Sequence, residues 1–66
     1  MYRILKNYSK KSIKINFRGH DVYFKAKAGV KFNLDDEEER ALYNFWKERY
    51  GFIGDITVNV KVGENI

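Results

Sequence analysis

Residues 12–26 read Ser12-Ile13-Lys14-Ile15-Asn16-Phe17-Arg18-Gly19-His20-Asp21-Val22-Tyr23-Phe24-Lys25-Ala26, and their pattern decides the fold class. Ile13, Ile15 and Phe17 alternate with Ser12, Lys14 and Asn16, the period of two that marks a strand with one apolar and one polar face. A four-residue link with glycine, Arg18-Gly19-His20-Asp21, follows. The alternation then returns, with Val22, Phe24 and Ala26 inward and Tyr23, Lys25 and Lys27 outward. The link has the length of a hairpin loop, so the two runs are expected to pair antiparallel.

Toward the C-terminus, Ala28-Gly29 interrupts the run and Val30-Lys31-Phe32-Asn33-Leu34 resumes it as a short strand or extended arm. Asp35 is the expected N-cap of a helix, with Glu38 three residues on as in a capping box. The acidic run Asp35 to Glu39 fills the first turn, where the helix dipole favours negative charge. Leu42, Phe45, Trp46 and Tyr50 form an apolar stripe with Arg49 at its margin, while Tyr43 is assigned to the outer face. Trp46 is the expected core anchor. Gly51 is placed to end the helix in a left-handed conformation. Beyond the connector Phe52-Ile53-Gly54, Ile56, Val58, Val60 and Val62 alternate with Thr57, Asn59 and Lys61 and predict a last strand. At the other end, Tyr2-Arg3-Ile4-Leu5-Lys6 reads as a short first strand, closed by the polar stretch Asn7-Tyr8-Ser9-Lys10. The order β-β-β-(β)-α-β predicts an α+β fold in one domain, residues 1–66. It consists of a small, mostly antiparallel sheet with one helix packed on its apolar face.

A chain of 66 residues buries only about 60% of the surface its unfolded form exposes, which leaves a thin stability margin. It has no cysteine, and His20 is its one histidine. A disulfide staple is excluded, and no His/Cys cluster suggests a metal or other cofactor. A partner, or further copies of the chain, is the remaining source of extra stability. The lack of cysteine fits a reducing compartment. No stretch reads as a membrane span or signal peptide, since Met1 to Lys14 alternates apolar with basic residues. Five Tyr, five Phe and Trp46 are too many rings for so small a core, so some are expected at a contact surface. Charge is divided along the chain. Residues 1–31 hold nine Lys/Arg against one acid, net +8, and residues 32–66 hold four against eight, net −4. That asymmetry suits directional contacts with acidic partners or head to tail with copies of itself, and it also suits a solvated helix beside a solvated sheet.

Catalysis needs convergent groups at reacting distance, and the sequence offers none. His20 sits in the hairpin link beside Asp21. Ser9 and Ser12 have no plausible base nearby. The carboxylates of Asp35 to Glu39 fan around one helical turn without the spaced ligands and turn glycine of a calcium loop. Gly19, Gly29, Gly51 and Gly54 are isolated, at expected turns. The chain is therefore read as a binding or assembly protein and not as an enzyme. For nucleic acid, Lys10, Lys11, Lys14, Arg18, Tyr23, Lys25 and Lys27 lie on or beside the hairpin face opposite the core, where phosphate contact and stacking could hold a single strand. The competing account of the same residues is an exposed sheet face kept from aggregating by its lysines.

The stretch Val30 to Glu39, followed by a short helix, a glycine and a strand, resembles small bacteriophage virion proteins, as does the opening Tyr2-Arg3-Ile4-Leu5-Lys6-Asn7. The resemblance is one of style and carries over no functional residue. It implies a structural role in a virion: capsid decoration, head–tail joining or a tail component. The expected function is non-enzymatic assembly on protein surfaces, in a virion or else in the cytoplasm. Contacts are expected near the chain ends and sheet edges at Tyr2, Ile4, Tyr8 and Ile66. The alternatives are a small basic nucleic-acid-binding domain and, third, an inhibitor of a host protein that mimics an acidic partner with Asp35 to Glu39.

Overall fold

The structure is a computed structural model that describes residues 1–57. Their elements run β1 (Tyr2–Asn7), β2 (Ile13–Phe17), β3 (His20–Phe24), β4 (Gly29–Asn33), α1 (Glu37–Arg49) and β5 (Ile53–Asp55). The fold is α+β, with antiparallel pairing throughout and one helix packed on the strands. The strands form two sheets where the sequence predicts one. β1 is the centre of a three-stranded sheet in the order β4-β1-β5, and β2 and β3 make a separate hairpin.

Asn7 accounts for how the two sheets meet. It is fully buried, and its Nδ2 donates to the carbonyls of Lys11, Phe24 and Lys25 at 2.9, 3.3 and 3.3 Å. Its Oδ1 accepts from the Ser9 N–H at 2.9 Å. One amide thus satisfies the chain on both sides of the hairpin where no ladder joins the sheets, as a buried polar group requires.

The core is Leu5, Phe24, Phe32, Tyr43, Trp46 and Ile53, with Ile13, Ile15, Val22, Phe45 and Tyr50 packed around it. The helix divides its apolar arc between the sheets. Tyr43 meets Phe32 of β4 with ring centroids 6.0 Å apart, and Phe45 meets Phe17 of the hairpin at 5.4 Å. Trp46, between them, lies edge-on to Phe24 at 5.3 Å. Tyr43 is therefore buried, against the expectation of an outer position. Asp55 receives its hydroxyl, which removes the cost of bringing that group inside.

Several boundaries move. The hairpin turns on two residues and not four. Arg18 and Gly19 both have positive φ, 52° and 86°, the signature of the type I′ turn whose twist matches the flanking strands. Hence β3 starts at His20, opposite Phe17. Tyr50 ends the helix in an extended conformation, so Gly51 has no left-handed role. The last strand begins earlier than expected, at Ile53. Ile56 and Thr57 lie beyond it, although the Ile56 N–H still donates to the Ile4 carbonyl. The rest of the expected strand, residues 58–62, lies outside the described residues.

The N-cap is Asp36 and not Asp35. Asn33 accepts the Asp35 N–H on its side chain and the Asp36 N–H on its carbonyl, and this turn carries the chain one residue further before helix begins. Asp36 then accepts from the Glu38 N–H, and Glu39, not Glu38, reaches back, to the Asn33 N–H at 2.7 Å. Asp36→Ala should cost about 0.5–2 kcal/mol. Asp35→Ala, which loses only an exposed contact to the N-terminal amine, should melt close to the parent. Thermal melts of the two variants check this, and a larger loss for Asp35→Ala than for Asp36→Ala would return the cap to Asp35.

Candidate functional site

Side-chain parity along β1 builds the most distinctive surface. Leu5 and Asn7 point into the core, so Tyr2, Ile4 and Lys6 share the opposite face, which the helix does not cover. Register adds Lys31 of β4 opposite Ile4, with Gly29 of β4 and Gly54 of β5 on either side of Lys6. Both glycines, expected at turns, lie in strands, and they leave this face open beside the long side chains. Tyr8 continues the row, its ring 3.5 Å from where a Cβ on Gly54 would stand. Its N–H donates to the carbonyl of Phe52, which is itself 41% exposed. Tyr2 and Tyr8 are 56% and 49% exposed, and each carries an ammonium group: Lys31 Nζ lies 5.0 Å from the Tyr2 ring centre and Lys6 Nζ 5.1 Å from that of Tyr8. The surface is thus aromatic and cationic at the same points.

Three of the four expected contact residues, Tyr2, Ile4 and Tyr8, are brought together here. They occupy the face of the central strand and not a sheet edge, because β1 is paired on both sides. Ile66 lies outside the described residues. The seven residues of the nucleic-acid alternative are dispersed. Arg18 turns to Glu37 of the helix at 3.3 Å, and Lys27 donates to the Tyr8 carbonyl at 2.8 Å. Lys10 and Lys11 lie in the β1–β2 loop, and Lys25 follows β3. Lys14 and Tyr23 remain together on the outer hairpin face, Nζ 5.9 Å from the ring centre, with Asp21 bonded to Asn16 beside them.

The acidic run is largely occupied by its own fold. Asp35 meets the N-terminal amine, Asp36 caps the helix, Glu37 pairs with Arg18, and Glu39 holds the Asn33 N–H. Between this turn and the hairpin is an open cavity of about 310 Å³. Phe17, Val22 and Leu42 supply its apolar lining, and His20, Asp36, Glu38 and Glu39 its polar lining.

A polar cluster that the sequence reading missed joins the sheet to the helix. Asp55 Oδ2 accepts from Arg3 Nε at 2.9 Å and from the Tyr43 hydroxyl at 2.5 Å. Its Oδ1 accepts from the N–H and hydroxyl of Thr57, while Thr57 Oγ1 accepts the Ile4 N–H. Burial pushes the Asp55 carboxyl up. The hydrogen bonds from Thr57, Tyr43 and Arg3 outweigh it and hold the group well below the usual carboxylate range. Arg3 is raised above its ordinary value, first by its bond to Asp55 and then by Tyr43. The available signal was Arg3 itself, which shares parity with Leu5 and so needs a partner inside.

Among the described residues no group of three or more His, Cys, Asp or Glu is placed to hold a metal ion, and no helix is long and apolar enough to cross a membrane. No family model, curated protein or solved structure matches this chain.

Proposed function

We propose that the protein is a non-enzymatic assembly protein that docks on a protein surface through the outer face of its three-stranded sheet. One observation carries the reading: among the described residues, the exposed rings of Tyr2 and Tyr8 lie with Ile4 on the outer face of β1, each with an ammonium group over it. Exposed rings gathered beside an aliphatic side chain mark interaction surfaces, where tyrosine adds contact area at little entropic cost. The likeness to small phage virion proteins supports a virion as the setting, with the module decorating, joining or lining a larger particle.

A photo-reactive phenylalanine analogue at Tyr2 or Tyr8, introduced while the protein is made from its native genome, is the test. Cross-links to protein in fast-sedimenting particles are expected at both positions and not at Tyr23. Nuclease-sensitive cross-links at Tyr2 and Tyr8 would overturn this reading.

The nucleic-acid reading retains one specific support, the exposed Tyr23 with Lys14 above its ring. It requires that a labelled single-stranded oligonucleotide bind with affinity falling steeply as salt rises. Lys14→Gln with Lys25→Gln should then weaken binding and flatten that slope in fluorescence anisotropy.

A further inference from the structure

The sheet face and the cavity at the helix start complement each other in chemistry while lying on different parts of the molecule. The face offers rings with ammonium groups over them, Tyr2 with Lys31 and Tyr8 with Lys6. The cavity offers apolar walls, Phe17, Val22 and Leu42, beneath the carboxylates of Asp36, Glu38 and Glu39. These three carboxylates make no ion pair among the described residues. The cavity's volume, about 310 Å³, is at the lower end of what encloses a small ligand. That suits a side chain or two from a flat surface better than a deeply buried cofactor.

We infer that the occupant of the cavity is a second copy of this chain, which lays its tyrosine–lysine sheet face over the helix start of the first. A ring would cover the apolar walls while the neighbouring ammonium meets the carboxylates, so shape and charge are matched in one contact. The two surfaces are not the same patch, so the contact is heterologous. Repeated head to tail, it closes into a ring or extends as a filament, unlike the self-complementary patch of a two-fold dimer. The inference rests on the docking role of the sheet face and names its partner. The uneven charge along the sequence is then the trace of two unlike contact surfaces.

Sedimentation velocity on nuclease-treated protein over a concentration series tests it, with Glu38→Lys and Lys31→Glu as variants. Glu38 is chosen because its side chain caps nothing, whereas Asp36 and Glu39 hold the helix start. Lys31 is exposed on β4. The parent should form species larger than dimers as concentration rises. Each variant should need at least about tenfold more protein to do so, since like charges then face each other. An equal mixture of the two should associate as the parent does, because each variant's altered surface meets the other's. The double variant K31E/E38K should do the same alone. Circular dichroism confirms that each variant is folded before it is scored.

A parent that stays monomeric up to about 1 mM, the range of weak contacts, overturns the inference. So does an E38K variant that associates like the parent, or a mixture that fails to recover. If the parent is monomeric while Tyr2 and Tyr8 still cross-link to a different protein, the docking face stands and only self-assembly falls. If neither is seen, both fall.

Discussion

Trp46→Ala is expected to leave little folded protein at room temperature. Trp46 is 2% exposed and packs against three rings: Phe24 edge-on at 5.3 Å, Phe45 at 5.9 Å and Tyr50 at 5.6 Å. Removing a buried tryptophan typically costs about 3–5 kcal/mol, part in lost transfer energy and part in the cavity left behind. Whole domains hold roughly 0.05–0.15 kcal/mol per residue, which for 66 residues is about 3–10 kcal/mol. A chain this small lies toward the lower end of that range, where the loss is comparable to the whole stability. Trp46→Phe keeps a ring against Phe24 and should still melt cooperatively, at a lower temperature. The check is a circular dichroism melt of both variants beside the parent. An alanine variant melting within a few degrees of the parent would mean that the helix packs on the strands by some other face.

Much of this core is legible in the sequence because its elements are one-sided. Ile13, Ile15 and Phe17 against Lys14 and Asn16, or Phe45 and Trp46 against Lys47 and Glu48, each state which face is inward. β1 is different. Tyr2, Ile4 and Lys6 on one face and Arg3, Leu5 and Asn7 on the other are both mixtures, so periodicity does not reveal a central strand. The inward set becomes intelligible only through partners distant in sequence: Asp55 for Arg3, and the carbonyls of Phe24 and Lys25 for Asn7. The same holds for Tyr43, whose burial depends on a carboxylate twelve residues away. The one-residue error at the helix start has a local cause, since Asp35 and Asp36 are equal as caps until Asn33 takes the first N–H groups.

The candidate surface was half legible. Tyr2, Ile4 and Tyr8 all carry even numbers, and a strand continued through Asn7 places them on one face by parity alone. What hid the surface was the assignment of Gly29 and Gly54 to turns. As strand residues opposite Lys6 and beneath Tyr8 they leave the outer face bare, and a bare, ring-bearing face on a central strand is what suggests a partner.

Asp55→Asn should be the most damaging polar substitution, and its cost should depend on pH in a defined direction. The carboxylate takes bonds from Arg3, Tyr43 and Thr57, and through Thr57 it secures the Ile4 N–H. Losing the charge leaves a half-buried guanidinium without its counter-ion and turns one acceptor into a donor that faces donors. Hydrogen bonds to charged groups contribute about 1.5–3 kcal/mol each, and losses within one network do not add. A total of about 2–4 kcal/mol near neutral pH is the expectation. The sign of the pH effect follows from the depressed carboxyl. In the unfolded chain Asp55 titrates near the ordinary value of about 3.9, and in the folded chain it titrates well below that. Its stabilisation is therefore complete above the unfolded value and is lost as pH falls through the folded one. Urea unfolding of parent and variant at a series of pH values should show a wide gap from neutral pH down to about 5. The gap should narrow steadily from about pH 4 downward as protons compete with Arg3 and Tyr43 for the carboxylate. The other carboxylates titrate in both proteins and cancel in the difference. A gap that stays constant through the acid range would mean that the charge on Asp55 does not hold the sheet to the helix.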